Sequence, residues 1–209
     1  MLIRKEYIQS GALLGIWKIT ESRDELLAQF PASLRNEVNH YLENIRSERR
    51  SIEWLSTRVM LFQLLGEEKI IQNKQDGSPY LEGGDQSISI SHTREYAAIV
   101  LHQNLPVGID IETRTERVSR IAYKFIADNE YIDPQQKTVH QLLHWSAKES
   151  LFKLIGLKGI DFREHLHIDP FTPAPKGMMQ ARETRSLTPS AYTIYYEVHP
   201  HYVLTWAIG

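Results

Sequence analysis

"SISISHTREYAAIVL", residues 87–101, is a β-hairpin written in sequence. Ser and Ile alternate with a period of two, the polar tetrapeptide "HTRE" turns the chain, and an apolar run returns it as a more deeply buried strand. A hairpin of the same make stands far down the sequence, where "AYTIYYEV" (191–198) and "VLTWAI" (203–208) flank the turn "HPHY". Both strands are rich in the β-branched and aromatic residues that suit a pleated surface.

Working back from each hairpin gives a similar order of elements. Before the first, "ALLGIWKIT" (12–20) reads as a strand, and Pro31 opens a helical stretch in which Leu34, Val38, Tyr41, Leu42 and Ile45 recur at helical spacing. A second helix carries Ile52, Leu55, Val59 and Phe62 to a stop at Gly66, and "NKQDGSPYLEGGD" (73–85) is a turn-rich loop. Before the second hairpin, the strand "VGIDIE" (107–112) leads into a helical stretch around 121–126. A longer helix follows over about 138–155, with Val139, Leu143, Ala147, Leu151 and Leu154 on one face. The expected fold is α+β, with two pseudo-symmetric halves, each a small antiparallel sheet packed with helices. "QNLP" divides them into residues 1–103 and 104–209.

Composition narrows the function classes. A formal net charge of −2 excludes nucleic-acid binding by bulk attraction, so an anionic ligand has to be held locally. Cysteine is absent, which rules out a disulfide framework, a thiolate metal site and a cysteine nucleophile. The opening "MLIRKEYIQS" lacks the apolar stretch of a secretory signal, and no segment has the length of a membrane span. The expectation is a cytoplasmic monomer with no nucleic-acid or membrane partner.

Two stretches carry chemistry. In "VGIDIE", Val107, Ile109 and Ile111 alternate with Asp110 and Glu112, so the two carboxylates share a strand face. The ordinary explanation is a solvated outer face. The sharper one is a divalent cation such as Mg²⁺, which accepts one or two carboxylates with waters and phosphate oxygens. In "WSAKESLFKLIG" (145–156), Trp145, Glu149 and Lys153 stand at i, i+4 and i+8, off the apolar stripe. Glu149 is a third carboxylate for the same ion, although alone it reads as a surface partner of Lys153.

Together the stretches resemble the 4'-phosphopantetheinyl transferases of the long, pseudo-duplicated Sfp-like type, whose hallmark is G-[IV]-D-x-E followed by W-x-x-K-E-[SA]-x-x-K. Here these are Gly108, Asp110, Glu112 and Trp145, Lys148, Glu149, Lys153. "SISISHT" resembles the family's N-[IV]-S-H segment at Ser91 and His92, "DGSPYL" its G-K-P loop, "RRSIEWLSTRVML" its basic helix, and "KFIADNEY" a segment carrying Glu130.

The resemblance implies Mg²⁺-dependent transfer of phosphopantetheine from coenzyme A to a serine of an acyl or peptidyl carrier protein. Coenzyme A and the ion are expected in a cleft between the halves. It also implies roles: Asp110, Glu112 and Glu149 hold the ion, Glu149 is the base for the serine hydroxyl with Glu130 as the weaker candidate for that job or for orienting a lysine, and Lys153 meets the pyrophosphate and leaving group. Arg49, Arg50, Ser91, His92 and Lys148 are implied coenzyme A contacts. Ser78 stands where the family has a lysine, leaving Lys74 as its substitute. Ser89 replaces the family's Asn, and Thr57 precedes Arg58 where Gly-Arg is common, which sets Arg58 outside the expected contacts. Two rivals are another Mg²⁺-dependent phosphotransferase or nuclease using three carboxylates, and a non-catalytic binding module.

Overall fold

The computed structural model describes residues 1–209 except Asp85 and Leu187. Its contacts divide the chain into two compact units, Met1–Asn104 and Leu105–Gly209. Both are mixed α+β with antiparallel sheets.

In the first unit, β1 (Leu2–Tyr7) and β2 (Leu13–Lys18) precede α1 (Arg23–Ala28), α2 (Arg35–Glu43) and α3 (Glu48–Leu65). The short pair β3 (Ile71–Asn73) and β4 (Pro79–Leu81) follows, then the hairpin β5 (Ser87–His92) and β6 (Tyr96–His102). The main sheet runs β1-β2-β6-β5. Ser47 caps α3 by accepting from the Arg50 N–H, and Gly66 ends it in the left-handed region at φ 72°, where a Cβ is costly. Leu55, Val59, Met60 and Leu64 of α3 pack with Leu13, Trp17 and Ile99 of the sheet in one core.

The second unit begins with β7 (Val107–Thr113), passes through short 3₁₀ turns at Glu116–Arg120 and Ala122–Lys124, and enters α4 (Lys137–Ile155). After it come β8 (Leu166–Ile168), β9 (Lys176–Glu183), β10 (Ser190–Val198) and β11 (Tyr202–Ile208). The sheet order is β7-β11-β10-β9-β8, so β7 takes β11 as partner, with Asp110 opposite Thr205 and Gly108 opposite Ala207. The core lies between this sheet and α4, where Leu143, Ala147, Leu151 and Leu154 meet Val203, Ala207, Ile194 and Met179. Among the described residues no helix is long and apolar enough to cross a membrane.

Several local expectations change. The helix expected around 121–126 is a single 3₁₀ turn, Ala122–Lys124, which follows the Glu116–Arg120 turn and does not continue into an α-helix. Within "NKQDGSPYLEGGD" the chain forms the β3–β4 hairpin, tightened by Lys74 N donating to Ser78 O (2.9 Å), with Gly77 at φ 87°. Asp85, the last residue of that stretch, lies outside the described residues.

Candidate active site

Strand β7 places its carboxylates on the face that α4 covers. Residues opposite each other in neighbouring strands share a face, so Gly108, Asp110 and Glu112 stand with Ala207, Thr205 and Val203. Ala207 and Val203 belong to the core beneath α4. A Cβ on Gly108 would lie 1.9 Å from Ser150 O and 2.9 Å from Leu154 N, both backbone atoms of α4. Glycine therefore lets the helix sit against the strand. The solvated outer face that a D-x-E strand ordinarily implies is absent, since Asp110 is only 4% exposed.

Small hydroxyls make that close packing polar. Ser146 Oγ shares a 2.9 Å hydrogen bond with Thr205 Oγ1, which also donates to Ser146 O at 2.8 Å, and Ser150 Oγ donates to Thr205 O at 3.0 Å. The contact aligns α4 so that Trp145, Glu149 and Lys153 run along β7. Lys153 Nζ donates to Asp110 Oδ1 (2.8 Å) and to Ile109 O (3.0 Å), and Trp145 Nε1 donates to Glu112 Oε1 (2.8 Å). Lys153 thus pairs with Asp110 across the helix–strand interface, in place of the surface Glu149–Lys153 pair.

The electrostatics show crowding of negative charge. Burial first, and then the Asp110 carboxylate, push Glu112 up to about 7, with Glu149 adding to the rise and the Trp145 N–H and Lys153 opposing it. Burial and Asp110 also raise Glu149, against Lys153. Each of the two feels Asp110, so the carboxylates of β7 and α4 form one electrostatic group.

The donor set can be tested against a divalent cation. Carboxylate oxygens are the hard ligands Mg²⁺ prefers, and mutual repulsion with raised pKa is the condition a cation relieves. Among the described residues, however, no three His, Asp or Glu side chains are arranged as a ready metal cage. The residues fit an ion held by a few carboxylates and completed by water and ligand oxygens.

Two residues expected at the ligand are engaged elsewhere. Lys148 is fully buried, and its Nζ donates to Phe125 O (2.5 Å), Glu130 Oε2 (2.7 Å) and Phe162 O (3.0 Å). An ammonium has three donors, and all are used inside the unit, so the expected coenzyme A contact is corrected to a structural role. Glu130 accepts from Ala127 N (2.7 Å) and Ile168 N (2.8 Å) besides Lys148. Burial alone would raise its pKa. His144, the Lys148 ammonium and the Ala127 N–H outweigh burial and hold it at about 2. Such a carboxylate is a poor proton acceptor, so Glu130 orients a lysine and is set aside as a base. His144, buried with Nδ1 3.4 Å from Glu130 Oε1, and His140, buried with its ring 5.0 Å from that of His144, do not stand out in the sequence; their i, i+4 spacing on one helix is the available signal.

The first unit holds a cavity of about 850 Å³ lined by residues from α2 to β5, among them Arg46, Arg50, Glu53, Trp54, Arg58 and His92. Of the implied coenzyme A contacts in this unit, Arg50 and His92 face it. Arg49 is outside the lining but donates to Glu53 Oε1 at 2.7 Å, a residue that does line it, and Lys74 is exposed in the β3–β4 turn outside the lining. Ser91 is buried on the opposite face of β5 from Ile90 and His92, because neighbouring strand residues alternate. Arg58, set aside in the sequence, lines the cavity with its guanidinium 3.8 Å over the Trp54 ring. Burial draws its pKa down to about 10, with Tyr41 opposing. Arg50, Trp54 and Arg58 at i, i+4 and i+8 were a helical face legible in the sequence.

Comparison with known proteins bears on the second unit most directly. Residues 106–207 match the family model of the 4'-phosphopantetheinyl transferase superfamily. The chain is similar to the 4'-phosphopantetheinyl transferase gsp of Aneurinibacillus migulanus, 35% identical over 122 residues that cover 54% of this chain and 51% of that protein. It is also similar to a 4'-phosphopantetheinyl transferase of Bacillus subtilis, 33% identical over 102 residues, 46% of this chain and 43% of that protein. These matches span about half the length of the curated relatives. Since the family match takes in β7, α4 and the closing hairpin, the carboxylate-bearing strand and helix belong to a recognised framework, and residues 106–207, nearly the whole second unit, belong to the 4'-phosphopantetheinyl transferase superfamily.

Proposed function

We propose that the chain is a 4'-phosphopantetheinyl transferase of the long Sfp-like type, moving 4'-phosphopantetheine from coenzyme A to a serine of an acyl or peptidyl carrier protein. The observation that carries this reading is the electrostatic group of Asp110, Glu112 and Glu149 with Lys153 against Asp110, inside the segment that the family model matches. The two α+β units are read as a duplicated pair, each with a long helix ending at a left-handed glycine, Gly66 and Gly156.

In this reading the serine Oγ forms a bond to the phosphorus bearing the pantetheine arm, and the bond from that phosphorus to the bridging oxygen breaks, releasing adenosine 3',5'-bisphosphate. Glu149, raised by burial and Asp110, takes the serine proton. The Lys153 ammonium stabilises charge on the departing phosphate oxygens. Asp110, Glu112 and Glu149 would hold Mg²⁺, which supplies charge neutralisation at the pyrophosphate when bound. Arg50, Arg58 and His92 are the candidates for binding coenzyme A phosphates, a task for which the guanidinium fork is suited.

Incubation of the chain with coenzyme A, Mg²⁺ and a panel of apo carrier proteins, read by intact mass, tests the reading. The expected result is a mass gain of one phosphopantetheine group on the carrier that depends on Mg²⁺. No gain on any carrier, with hydrolysis of nucleic acid or transfer to another acceptor instead, would replace it with the rival phosphotransferase or nuclease.

A further inference from the structure

Lys148 and Trp145 are three residues apart on α4, and the contacts of one lead to the other. Lys148 Nζ donates to the carbonyls of Phe125 (2.5 Å) and Phe162 (3.0 Å), which lie on segments before and after the helix. The rings of those same two residues pack on the Trp145 indole, with centroids 5.1 Å and 5.6 Å away. The indole in turn donates from Nε1 to Glu112 Oε1 at 2.8 Å. Glu130 holds the ammonium from the remaining side at 2.7 Å and ties it to β8 through Ile168 N.

We propose that Trp145 and Lys148 are positioning residues for Glu112: Lys148 fixes the aromatic box, the box fixes the indole, and the indole aims the carboxylate at the cation. The inference rests on the metal-binding reading given above. A buried ammonium spent on two backbone carbonyls is a strong way to fix two loops, since each charge-assisted hydrogen bond is short and directional. An indole is the side chain that can both fill an aromatic box and present one N–H donor at its rim. The partner that orients a carboxylate ligand governs metal affinity in other sites by roughly 10- to 100-fold.

Trp145→Phe isolates the last link, because a phenyl ring keeps aromatic packing in the box and lacks the donor. Mn²⁺ serves as probe, titrated calorimetrically into the full chain and into the variant, with unfolding temperature and near-ultraviolet circular dichroism as controls for the fold. The expected result is a variant that unfolds within a few degrees of the parent and binds Mn²⁺ roughly tenfold more weakly. In the carrier assay, kcat should fall at fixed Mg²⁺ and recover partly as Mg²⁺ is raised, a response that simple destabilisation does not give. Lys148→Met should weaken Mn²⁺ binding to a similar degree and lower the unfolding temperature. Equal Mn²⁺ affinity in the parent and Trp145→Phe overturns the positioning role and leaves the transferase reading intact. A parent chain that takes up no Mn²⁺ overturns the metal reading and this inference with it.

Discussion

Lys153 Nζ lies 2.8 Å from Asp110 Oδ1 and 3.0 Å from the carbonyl of Ile109, so one ammonium closes over both the side chain and the preceding backbone of the buried carboxylate. Asp110→Asn keeps the volume and removes the charge. Turnover should fall by roughly 10²-fold or more, as for loss of a metal ligand. Stability should fall as well, by about 1–2 kcal/mol, because Lys153 loses a charge-assisted partner. Thermal unfolding beside the carrier assay checks both, and a variant as active as the parent removes Asp110 from the site.

Glu149→Gln separates binding from chemistry. Coenzyme A affinity should stay within a few-fold of the parent, since Arg50, Arg58 and His92 are untouched, while turnover drops by roughly 10² or more. If the residue were only a surface partner of Lys153, turnover would be unchanged and stability would move by a few tenths of a kcal/mol.

At Gly108 the helix leaves no room. Gly108→Ala would bring a methyl group to 1.9 Å from a backbone oxygen of α4, so the helix must shift or the unit must open. A loss of about 3 kcal/mol is expected in urea unfolding, at the upper end of overpacking costs. Unchanged stability would show that α4 moves away freely.

The buried histidines set an acid limit. Burial, and then His144 beside it, lower His140 from 6.5 to about 4, so the folded chain binds fewer protons than the unfolded one in that window. The stability this gives is present above pH 6.5 and is lost as pH falls through about 4. Glu130, lowered from 4.5 to about 2, acts with the same sign in a lower window. Glu112, raised from 4.5 to about 7, has the opposite sign, its contribution being lost as pH rises through about 7. The diagnostic is therefore the difference between the parent and His140→Gln in urea midpoint, which should shrink from neutral pH toward pH 4. A constant difference would refute the assignment.

For the cavity of the first unit, Arg58→Met and Lys74→Ala form a contrasting pair. The first should weaken coenzyme A binding roughly tenfold, as loss of a charged contact does, and the second should leave it unchanged. Isothermal titration with coenzyme A decides it, and the reverse ranking would restore the β3–β4 turn as the phosphate contact.

Periodicity alone located α3, α4, both long hairpins and the strand with the paired carboxylates, because each carries a repeated apolar spacing. It passed over β1, whose "LIRKEY" is mostly exposed and polar, and β8, only three residues long. It also passed over α1, a six-residue helix whose signal is the Ser22–Glu25 capping box rather than an apolar stripe. At the site, the residue types of Asp110, Glu112, Glu149 and Lys153 were legible as a motif. Their burial was not, since nothing in a D-x-E pattern says which sheet face a helix will cover. Lys148 was misjudged for a related reason: a lysine in a motif reads as a ligand contact until its three donors are traced.

Strand β7 is held in its sheet by β11, with Val107 facing Ile208 and Thr113 facing Tyr202, partners drawn from opposite ends of the unit. Such pairing is the slow, non-local kind. During synthesis Asp110 and Glu112 would leave the ribosome ahead of the rest of the second unit and wait for almost all of it before gaining a strand neighbour. A chain cut before Tyr202 would keep every residue of the motif and have no strand to hold it in register.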